Sequence, residues 1–314
     1  MPMLEWVFAY QRKPTNLTEA IVLSVEKKHD KVTEYLLLHA AIVAPVIVTA
    51  TTRPLVIMDT KINMGLAGCA AKRNSVLLCD VALDSAKALK DLEAGIVSLD
   101  EINYQNDLNW TALMLVCIQV PNIKLARKLL DLGAKVNLVE KVGGYSALQI
   151  ACRFARDGKI ATMLLNHSET DVNIQTHARD TPLHWALYTS NSTSSTEIVE
   201  MLLKHPKIDV NVRNKLGNTP LIDAIEGKAS KKVMEMLLQM SNIDINVQNE
   251  KGDTALMLLL NREMNSGDKE IAKLLLNDNR TGVQVPNHLH QTPIMKMIGK
   301  ISPRKALIVL LEIL

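Results

Sequence analysis

The stretch Thr181-Pro-Leu-His-Trp-Ala186 opens with a hydroxyl residue followed by proline, and shortened forms of it recur along the chain. The recurring segments, spaced by 35, 35, 38, 35 and 38 residues, are Thr111-Ala-Leu, Ser146-Ala-Leu, Thr181-Pro-Leu, Thr219-Pro-Leu, Thr254-Ala-Leu and Thr292-Pro-Ile. A Thr or Ser can accept a hydrogen bond from the first turn of a helix, and proline fits the first helical position. Ser146 and Gln149 also have the spacing of a capping box. The stretch therefore predicts helix starts that repeat at a nearly fixed period.

A second apolar pattern follows each predicted helix start after 18 or 21 residues. The pairs are Leu129-Leu130, Leu164-Leu165, Leu202-Leu203, Leu237-Leu238, Leu275-Leu276 and Leu310-Leu311. Each pair is preceded, four residues earlier, by an apolar residue, which places them on one face of a second helix. An amide side chain also recurs eight or nine residues before the caps, at Asn103, Asn137, Asn173, Asn211, Asn246 and Gln284. The pattern therefore predicts that each copy folds as a helix, a turn, a second helix and a polar loop.

Two segments, Thr181-Pro-Leu-His-Trp-Ala186 and Leu129-Leu-Asp-Leu-Gly-Ala-Lys-Val-Asn137, resemble the ankyrin repeat, in six copies over about 104–314. The resemblance implies an all-α fold, an ankyrin-type α-solenoid of stacked helix-turn-helix repeats with β-hairpin-like finger loops. We expect a divergent helical N-terminal region with degenerate ankyrin-like repeats in residues 1–100 and the repeat array in residues 101–314. Residues 14–39 are interpreted as one degenerate repeat, and Ser75 could open another.

The composition narrows the classes of function. Hydrophobic residues make up 47% of the chain, enough for a core, and the net charge is only +3 with no basic stripe, so nucleic-acid binding is not expected. The most apolar stretch, residues 36–58, is interrupted by Pro, Arg and His, so no membrane span is expected. Four cysteines without zinc-ligand spacing predict no metal, no cofactor and a reduced, cytoplasmic protein.

Catalysis has little support in the sequence. Cys117 and Cys152 fall six residues after their caps, at a position that is apolar in neighbouring copies, and are interpreted as core thiols. The alternative is an effector, secreted by a bacterium or virus into the host cytoplasm, in which residues 1–100 carry an enzymatic activity. Cys69 would then be the nucleophile, with His29 or His39 as its base. We predict that the chain is not an enzyme.

The ankyrin resemblance implies that a protein partner binds along the concave face, at the finger tips and at the residue before each cap. The residues before the caps are Trp110, Tyr145, Asp180, Asn218, Asp253 and Gln291. The other tip candidates are Tyr104, His177, Arg179, Arg213 and Lys215. We expect the aromatic end to anchor an apolar side chain or a short helix, and the acidic end to favour a basic segment. In the alternative interpretation Trp110 and Tyr145 only pack against their neighbours.

The resemblance also gives His184 the role of joining adjacent repeats through hydrogen bonds, and Trp185 is interpreted as a packing residue. The end of the chain, Leu307–Leu314, is an apolar helix with nothing after it in the sequence. Terminal repeats normally carry a polar outer face. We therefore expect this helix to mediate self-association, or the sequence to continue in a longer protein.

Overall fold

The structure is a computed structural model that describes residues 76–83, 85–118, 122–154, 158–188, 193–262 and 264–300. The chain divides into a first unit, Met1–Ala134, and a second unit, Lys135–Leu314. The described residues form helices and loops with no β-strand, and only an isolated bridge joins Val139 to Ser146. The all-α fold predicted from the sequence is confirmed. The β-hairpin-like character expected of the fingers is limited to that bridge.

In its described part, from residue 76 onward, the first unit shows two stacked helix pairs and one short helix. Its helices are α1 (Val76–Leu83), α2 (Ser85–Glu93), α3 (Leu99–Ile102), α4 (Ala112–Ile118) and α5 (Ile123–Asp131). Helix α1 packs against α4 and α2 packs against α5, which is the contact pattern of two consecutive helix-turn-helix repeats. Whether Ser75 opens the first of these repeats stays a prediction, because Ser75 lies outside the described residues.

The second unit places its helices in two rows. They are α6 (Ala147–Phe154), α7 (Lys159–Leu165), α8 (Pro182–Tyr188), α9 (Thr193–Lys204), α10 (Pro220–Glu226), α11 (Lys231–Leu238), α12 (Ala255–Leu260), α13 (Ser266–Asn277) and α14 (Pro293–Lys300). The first helices α6, α8, α10, α12 and α14 pack in that order, and the second helices α7, α9, α11 and α13 form the other row. Each first helix also contacts its own second helix where both are described.

Leucines from the repeated apolar pairs form the core between the rows. The first member of each described pair is fully buried, as Leu129, Leu164, Leu202, Leu237 and Leu275 show. Burial of one such side chain stabilises the fold by about 2 kcal/mol. Cys117 and Cys152 are buried too, as predicted, and burial raises the pKa of Cys117 to about 12. Cys117 therefore remains a thiol at neutral pH and is a poor nucleophile.

The predicted helix caps are formed, with one exception. Ser146 and Gln149 make the capping box: the Ser146 hydroxyl accepts from the Gln149 N–H at 3.3 Å, and the Gln149 side chain accepts from the Ser146 N–H at 2.8 Å. Thr254 accepts from the Met257 N–H. Thr219 also precedes its helix, but its buried hydroxyl caps nothing in the described residues.

The recurring asparagine joins consecutive repeats of the second unit. Asn173 donates to the Lys207 carbonyl at 2.7 Å and accepts from the Asp209 N–H at 2.9 Å. The same pair of bonds, to the loop of the next repeat, is made by Asn137, Asn211 and Asn246. The sequence showed the recurrence, but only the structure shows the bond that explains it.

Each finger is a tight loop closed by one polar side chain. In one finger the Asn214 side chain accepts from the Leu216 and Asn218 N–H groups at 2.9 and 3.1 Å. The residue two positions before each helix cap has a positive φ, between 57° and 76°. These left-handed residues are Asn109, Gly144, Arg179, Gly217, Gly252 and His290. This turn directs the following side chain toward the helices.

We expect Gly217→Ala to lower the free energy of unfolding by about 2 kcal/mol, because alanine is strained at positive φ. The φ of Gly217 is +72°, and an added Cβ would lie 2.7 Å from the backbone nitrogen of Glu250. Urea unfolding followed by circular dichroism measures the change. The matched control is Gly299→Ala in α14, where a Cβ meets no atom within 4 Å and should be neutral or stabilising. Equal effects at the two positions would contradict this account of the fingers.

Candidate functional site

The first four fingers of the second unit are hydrogen-bonded to one another through their backbones. The His177 N–H donates to the Gly143 carbonyl at 2.7 Å, and the Lys215 N–H donates to the Ala178 carbonyl at 2.8 Å. The next finger continues the series, with the Glu250 N–H donating to the Leu216 carbonyl at 3.0 Å. These bonds hold neighbouring fingers in register, so their tips form a preorganised surface.

One position of each finger displays its side chain to solvent. This finger-tip row consists of Val142, Ala178, Leu216, Lys251 and Leu289. Leu216 is 62% exposed, Leu289 is 74% exposed and Val142 is 44% exposed. These residues are not among the binding residues predicted from the sequence. The available signal was a large apolar residue inside an otherwise polar loop, as in Asn214-Lys-Leu-Gly-Asn218.

The predicted tip residues of the second unit are exposed beside this row: His177, Arg179, Arg213 and Lys215. Arg213 also has a structural role, because its guanidinium donates to the carbonyls of Gly217 and Gln248 at 3.2 and 2.8 Å. The His177 ring lies 3.3 Å from the Val142 carbonyl. Tyr104, in the first unit, is half-buried.

Most residues before the caps are buried rather than displayed. Trp110 is 3% exposed, Asp180 8%, Asn218 2% and Asp253 3%. The burial of Trp110 favours the alternative interpretation, in which this residue packs against its neighbours instead of anchoring a partner. The physical reason is the left-handed residue before it, which turns the chain inward. Gln291 and Tyr145 are half-buried.

Trp185 is the centre of an aromatic cluster in the second unit. It is 2% exposed, and its ring centroid lies 5.2 Å from that of Tyr145, edge to face, and 5.7 Å from that of Tyr188. The Arg153 guanidinium lies 4.8 Å above the indole. The predicted packing role of Trp185 is confirmed. Burial, together with the charge of Asp180, raises the pKa of Tyr145 to about 12.

His184 joins two repeats, as the resemblance implied. Its Nδ1 accepts from the Thr181 N–H at 3.1 Å, and its Nε2 donates to the Asn218 carbonyl in the next repeat at 3.3 Å. Gln149 does the same in the preceding repeat, accepting from Ser146 and donating to the Asp180 carbonyl at 2.9 Å. Burial lowers the pKa of His184 to about 4, so the ring is neutral at physiological pH.

We expect His184→Gln to make the protein more resistant to acid than the wild type. A folded pKa of about 4, below the reference 6.5, means that the unfolded chain binds the proton first, so stability is lost as pH falls below about 6.5. The difference amounts to about 2 kcal/mol at pH 5. Glutamine keeps both bonds, as Gln149 does, and does not titrate. Denaturant unfolding of both proteins at pH 7.5 and pH 5 tests this prediction. It would be contradicted if the difference in the free energy of unfolding between variant and wild type were the same at the two pH values.

Three carboxylates meet beside His184 and are called the carboxylate cluster: Asp180, Asp223 and Glu226. Asn214 donates to Asp180 at 2.9 Å and to Asp223 at 3.3 Å. Asn218 donates to Asp223 at 2.8 Å and to Glu226 at 3.2 Å. Burial raises the pKa of Asp180 to about 6 and that of Asp223 to about 7. Ionisation of these buried carboxyl groups therefore lowers the stability of the folded protein.

Asp180, His184 and Asp223 also form a candidate metal-ligand group among the described residues, with ligand atoms within 4.8 Å of one another. Both nitrogens of His184 are already engaged, with Thr181 and with Asn218. A metal would have to break one of these bonds to gain a nitrogen ligand. A ligand that leaves these two bonds intact would therefore be held by carboxylate oxygens of Asp180 and Asp223.

Comparison with known proteins identifies the family. A family model described as ankyrin repeats (3 copies) matches residues 69–176 and 155–249, which together span more than half of the chain, so the chain belongs to the ankyrin repeat family. It is similar to the crystal structure of EF0377, an ankyrin repeat protein, with 27% identity and a TM-score of 0.55 over 64% of this chain and 94% of that one. It is also similar to the ankyrin repeat domain of Bcl-3, a member of the IkappaB protein family, with 23% identity and a TM-score of 0.60 over 76% of this chain and 98% of that one. No curated protein matches the chain. Ankyrin repeats are generally non-enzymatic protein-interaction modules.

Several predictions from the sequence lie outside the described residues. They concern the degenerate repeat 14–39, the proposed nucleophile Cys69 with His29 or His39, and the helix Leu307–Leu314. Selective labelling of Cys69 by a thiol probe, with buried Cys117 as the internal control, would support the enzymatic alternative. In the part of the chain that the structure describes, the helices are too short or too polar to cross a membrane.

Proposed function

We propose that this chain is a protein-binding module that holds its partner along the concave face formed by the fingers and first helices of the second unit. The observation that carries the proposal is the finger-tip row, in which Leu216 and Leu289 expose most of their apolar surface. Isolated exposed leucines are common, but these two occupy the same position in fingers that are bonded to their neighbours. Backbone bonds join the Leu216 finger, and the Gln248 side chain, which donates to the Pro286 carbonyl at 2.7 Å, joins the Leu289 finger.

Preorganisation makes this surface effective. Fingers that are already bonded to one another lose little conformational entropy when a partner binds. Each leucine buried under a partner can contribute about 1.5–3 kcal/mol before the cost of association. Arg179 and Lys215 flank the row, so the segment that lies over the tips is expected to combine apolar and acidic residues. The proposed location of this interaction is the cytoplasm, supported by the Cys117 thiol in the core.

The predicted binding residues divide into two groups under this proposal. His177, Arg179 and Lys215 offer exposed side chains for direct contact. Asn218 and Asp253 are buried and would act by shaping the face. Contact of Tyr145 or Tyr104 with a partner stays a prediction.

The test is affinity capture by the intact chain and by the double variant Leu216→Ser, Leu289→Ser. We expect the affinity for the captured protein to fall at least about tenfold, because hot-spot truncations cost 2 kcal/mol or more. The matched control is Val283→Ser, a 36% exposed apolar residue that lies six positions before Leu289 in the same loop but outside the finger-tip row. Circular dichroism shows that all variants are folded. Equal capture by wild type and double variant would reject the proposal.

A further inference from the structure

Two aspartates occupy equivalent positions in different repeats of the second unit. Asp180 and Asp253 each precede the threonine that begins a first helix. Each accepts one hydrogen bond from the finger asparagine of the next repeat, 34 residues later. Asn214 donates to Asp180 Oδ1 at 2.9 Å, and Asn287 donates to Asp253 Oδ1 at 3.1 Å. The repeat geometry is therefore the same on this side of both carboxylates.

The other side of the two carboxylates differs. Oδ2 of Asp253 accepts a hydrogen bond from the Lys296 ammonium, which lies 43 residues later in the chain. The residue 43 positions after Asp180 is not a lysine but Asp223. The ligand oxygens of Asp180 and Asp223 lie within 4.8 Å of one another. Where one repeat supplies an ammonium group, the other supplies a second carboxylate.

A buried amide adds an acceptor at the same place. Asn218 is 2% exposed, and its Nδ2 donates to Asp223 Oδ1 at 2.8 Å and to Glu226 Oε2 at 3.2 Å. Its Oδ1 belongs to the same buried amide group, whose Nδ2 is bonded to two members of the carboxylate cluster. That buried oxygen accepts no hydrogen bond from the described residues. An amide oxygen left in this state favours a hydrogen-bond donor at the cluster.

The chemistry of the ligand follows from these acceptors. Asp180, Asp223 and Asn218 can together receive the three donors of one ammonium group, whereas a guanidinium presents a planar fork. Glu226, at the edge of the cluster, is exposed, and Tyr188, which hydrogen-bonds to Asp223, is 36% exposed. The raised pKa values of Asp180 and Asp223 agree with a site that lacks a cation of its own.

We propose that the carboxylate cluster binds a primary ammonium group, the side chain of a lysine on the partner protein. The identity of the ligand as a partner's lysine rests on the proposed function, whereas the ammonium site itself does not. Asp253 is already neutralised by Lys296. Of the acidic residues expected to attract a basic segment of the partner, only Asp180 is therefore proposed to contact it. The partner's lysine would pair with Asp180 as Lys296 of this chain pairs with Asp253.

The first test uses n-butylammonium chloride as a lysine side-chain probe on the full chain at pH 8. Tetramethylammonium chloride at the same ionic strength has the same charge but no N–H donor. We expect only n-butylammonium to raise the melting temperature and to shift the Trp185 indole resonance in a saturable titration. Equal responses to the two cations would overturn the proposal, and so would saturable stabilisation by Ca²⁺ or Zn²⁺ alone at millimolar concentration.

Substitutions locate the effect. Asp180→Asn keeps the side-chain shape and should weaken n-butylammonium about tenfold, the effect of losing one charge-assisted hydrogen bond. The matched control Asp253→Asn removes the equivalent carboxylate and should leave the probe's affinity unchanged. Asp223→Lys places an ammonium where Lys296 lies in the other repeat, and should abolish the response. If Asp223→Lys does not fold, the two asparagine variants decide, and equal affinities in them would overturn the proposal.

Partner capture separates this inference from the proposed function. If n-butylammonium binds as expected and lysine acetylation of a captured partner weakens its capture by wild type but not by Asp180→Asn, both are supported. If the finger-tip variants lose capture while n-butylammonium fails to bind, the protein-binding function stands and the ammonium site is rejected. If n-butylammonium binds but the finger-tip variants capture normally, the site stands and the proposed binding surface is rejected.

Discussion

Trp185→Ala is expected to lower the free energy of unfolding of the second unit by about 3–5 kcal/mol, the range for truncating a buried tryptophan. The indole is 2% exposed and contacts the rings of Tyr145 and Tyr188, so its removal leaves a cavity lined by both. It also removes the surface on which the Arg153 guanidinium stacks. Denaturant unfolding followed by circular dichroism measures the loss.

Trp185→Phe serves as the control, since it keeps an aromatic ring and should lose clearly less stability than Trp185→Ala. Stability in a repeat array is approximately a sum over repeats and their interfaces. Helix α8 contacts both α6 and α10, so weakening it should uncouple the repeats on its two sides. Hydrogen exchange should then show early opening at α8 with protection retained at α12 and α13. A loss below 1 kcal/mol, or uniform loss of protection, would contradict the prediction.

Asp223→Asn is expected to change the pH dependence of stability by about 4 kcal/mol between pH 4 and pH 8, in favour of the variant at pH 8. Burial raises the pKa of Asp223 from 3.8 to about 7, so the folded protein keeps a proton that the unfolded chain releases near pH 4. Wild-type stability from this group therefore falls as pH rises through that interval. Asparagine does not titrate and removes the slope.

The measurement is denaturant unfolding of wild type and variant at half-unit steps from pH 4 to pH 8. Since Asp180 lies beside Asp223 and also has a raised pKa, the two carboxyls titrate as a pair, and the curve of the difference reports the pair. The control is Asp253→Asn, which breaks the buried contact with Lys296 and should destabilise the protein instead. Parallel pH curves for wild type and Asp223→Asn would show that the cluster does not carry this cost.

The recurring sequence pattern predicted the helices well because each of its signals acts locally. A hydroxyl residue at a helix start, a proline after it and an apolar pair further on each act within one or two turns. Ser146 with Gln149 was predicted as a capping box and forms one. Thr219 has the same sequence signal, yet its hydroxyl makes no cap. The signal fixes where the helix begins, and the packing around it decides whether the hydroxyl is used.

The candidate site was predicted less completely because its geometry depends on contacts between repeats. Trp110 and Asp180 occupy the position that the resemblance assigned to binding, and both are buried. Their direction depends on a left-handed residue that can be Asn, Gly, Arg or His, so composition gives no reliable sign of it. The exposed Leu216 and Leu289 were visible in the sequence, but their exposure could be judged only once the fingers were in place.

By itself, the sequence determined the family, the period, the helix starts and the core thiols, because these depend on residues that interact within a single repeat. Only the tertiary structure decided which polar residues meet. Asp180 lies 43 residues from Asp223, and Asn173 lies 34 residues from the Lys207 carbonyl that it binds. Such pairs form when one repeat stacks on the next, and the free energy of an isolated carboxylate depends on what the neighbouring repeat places beside it.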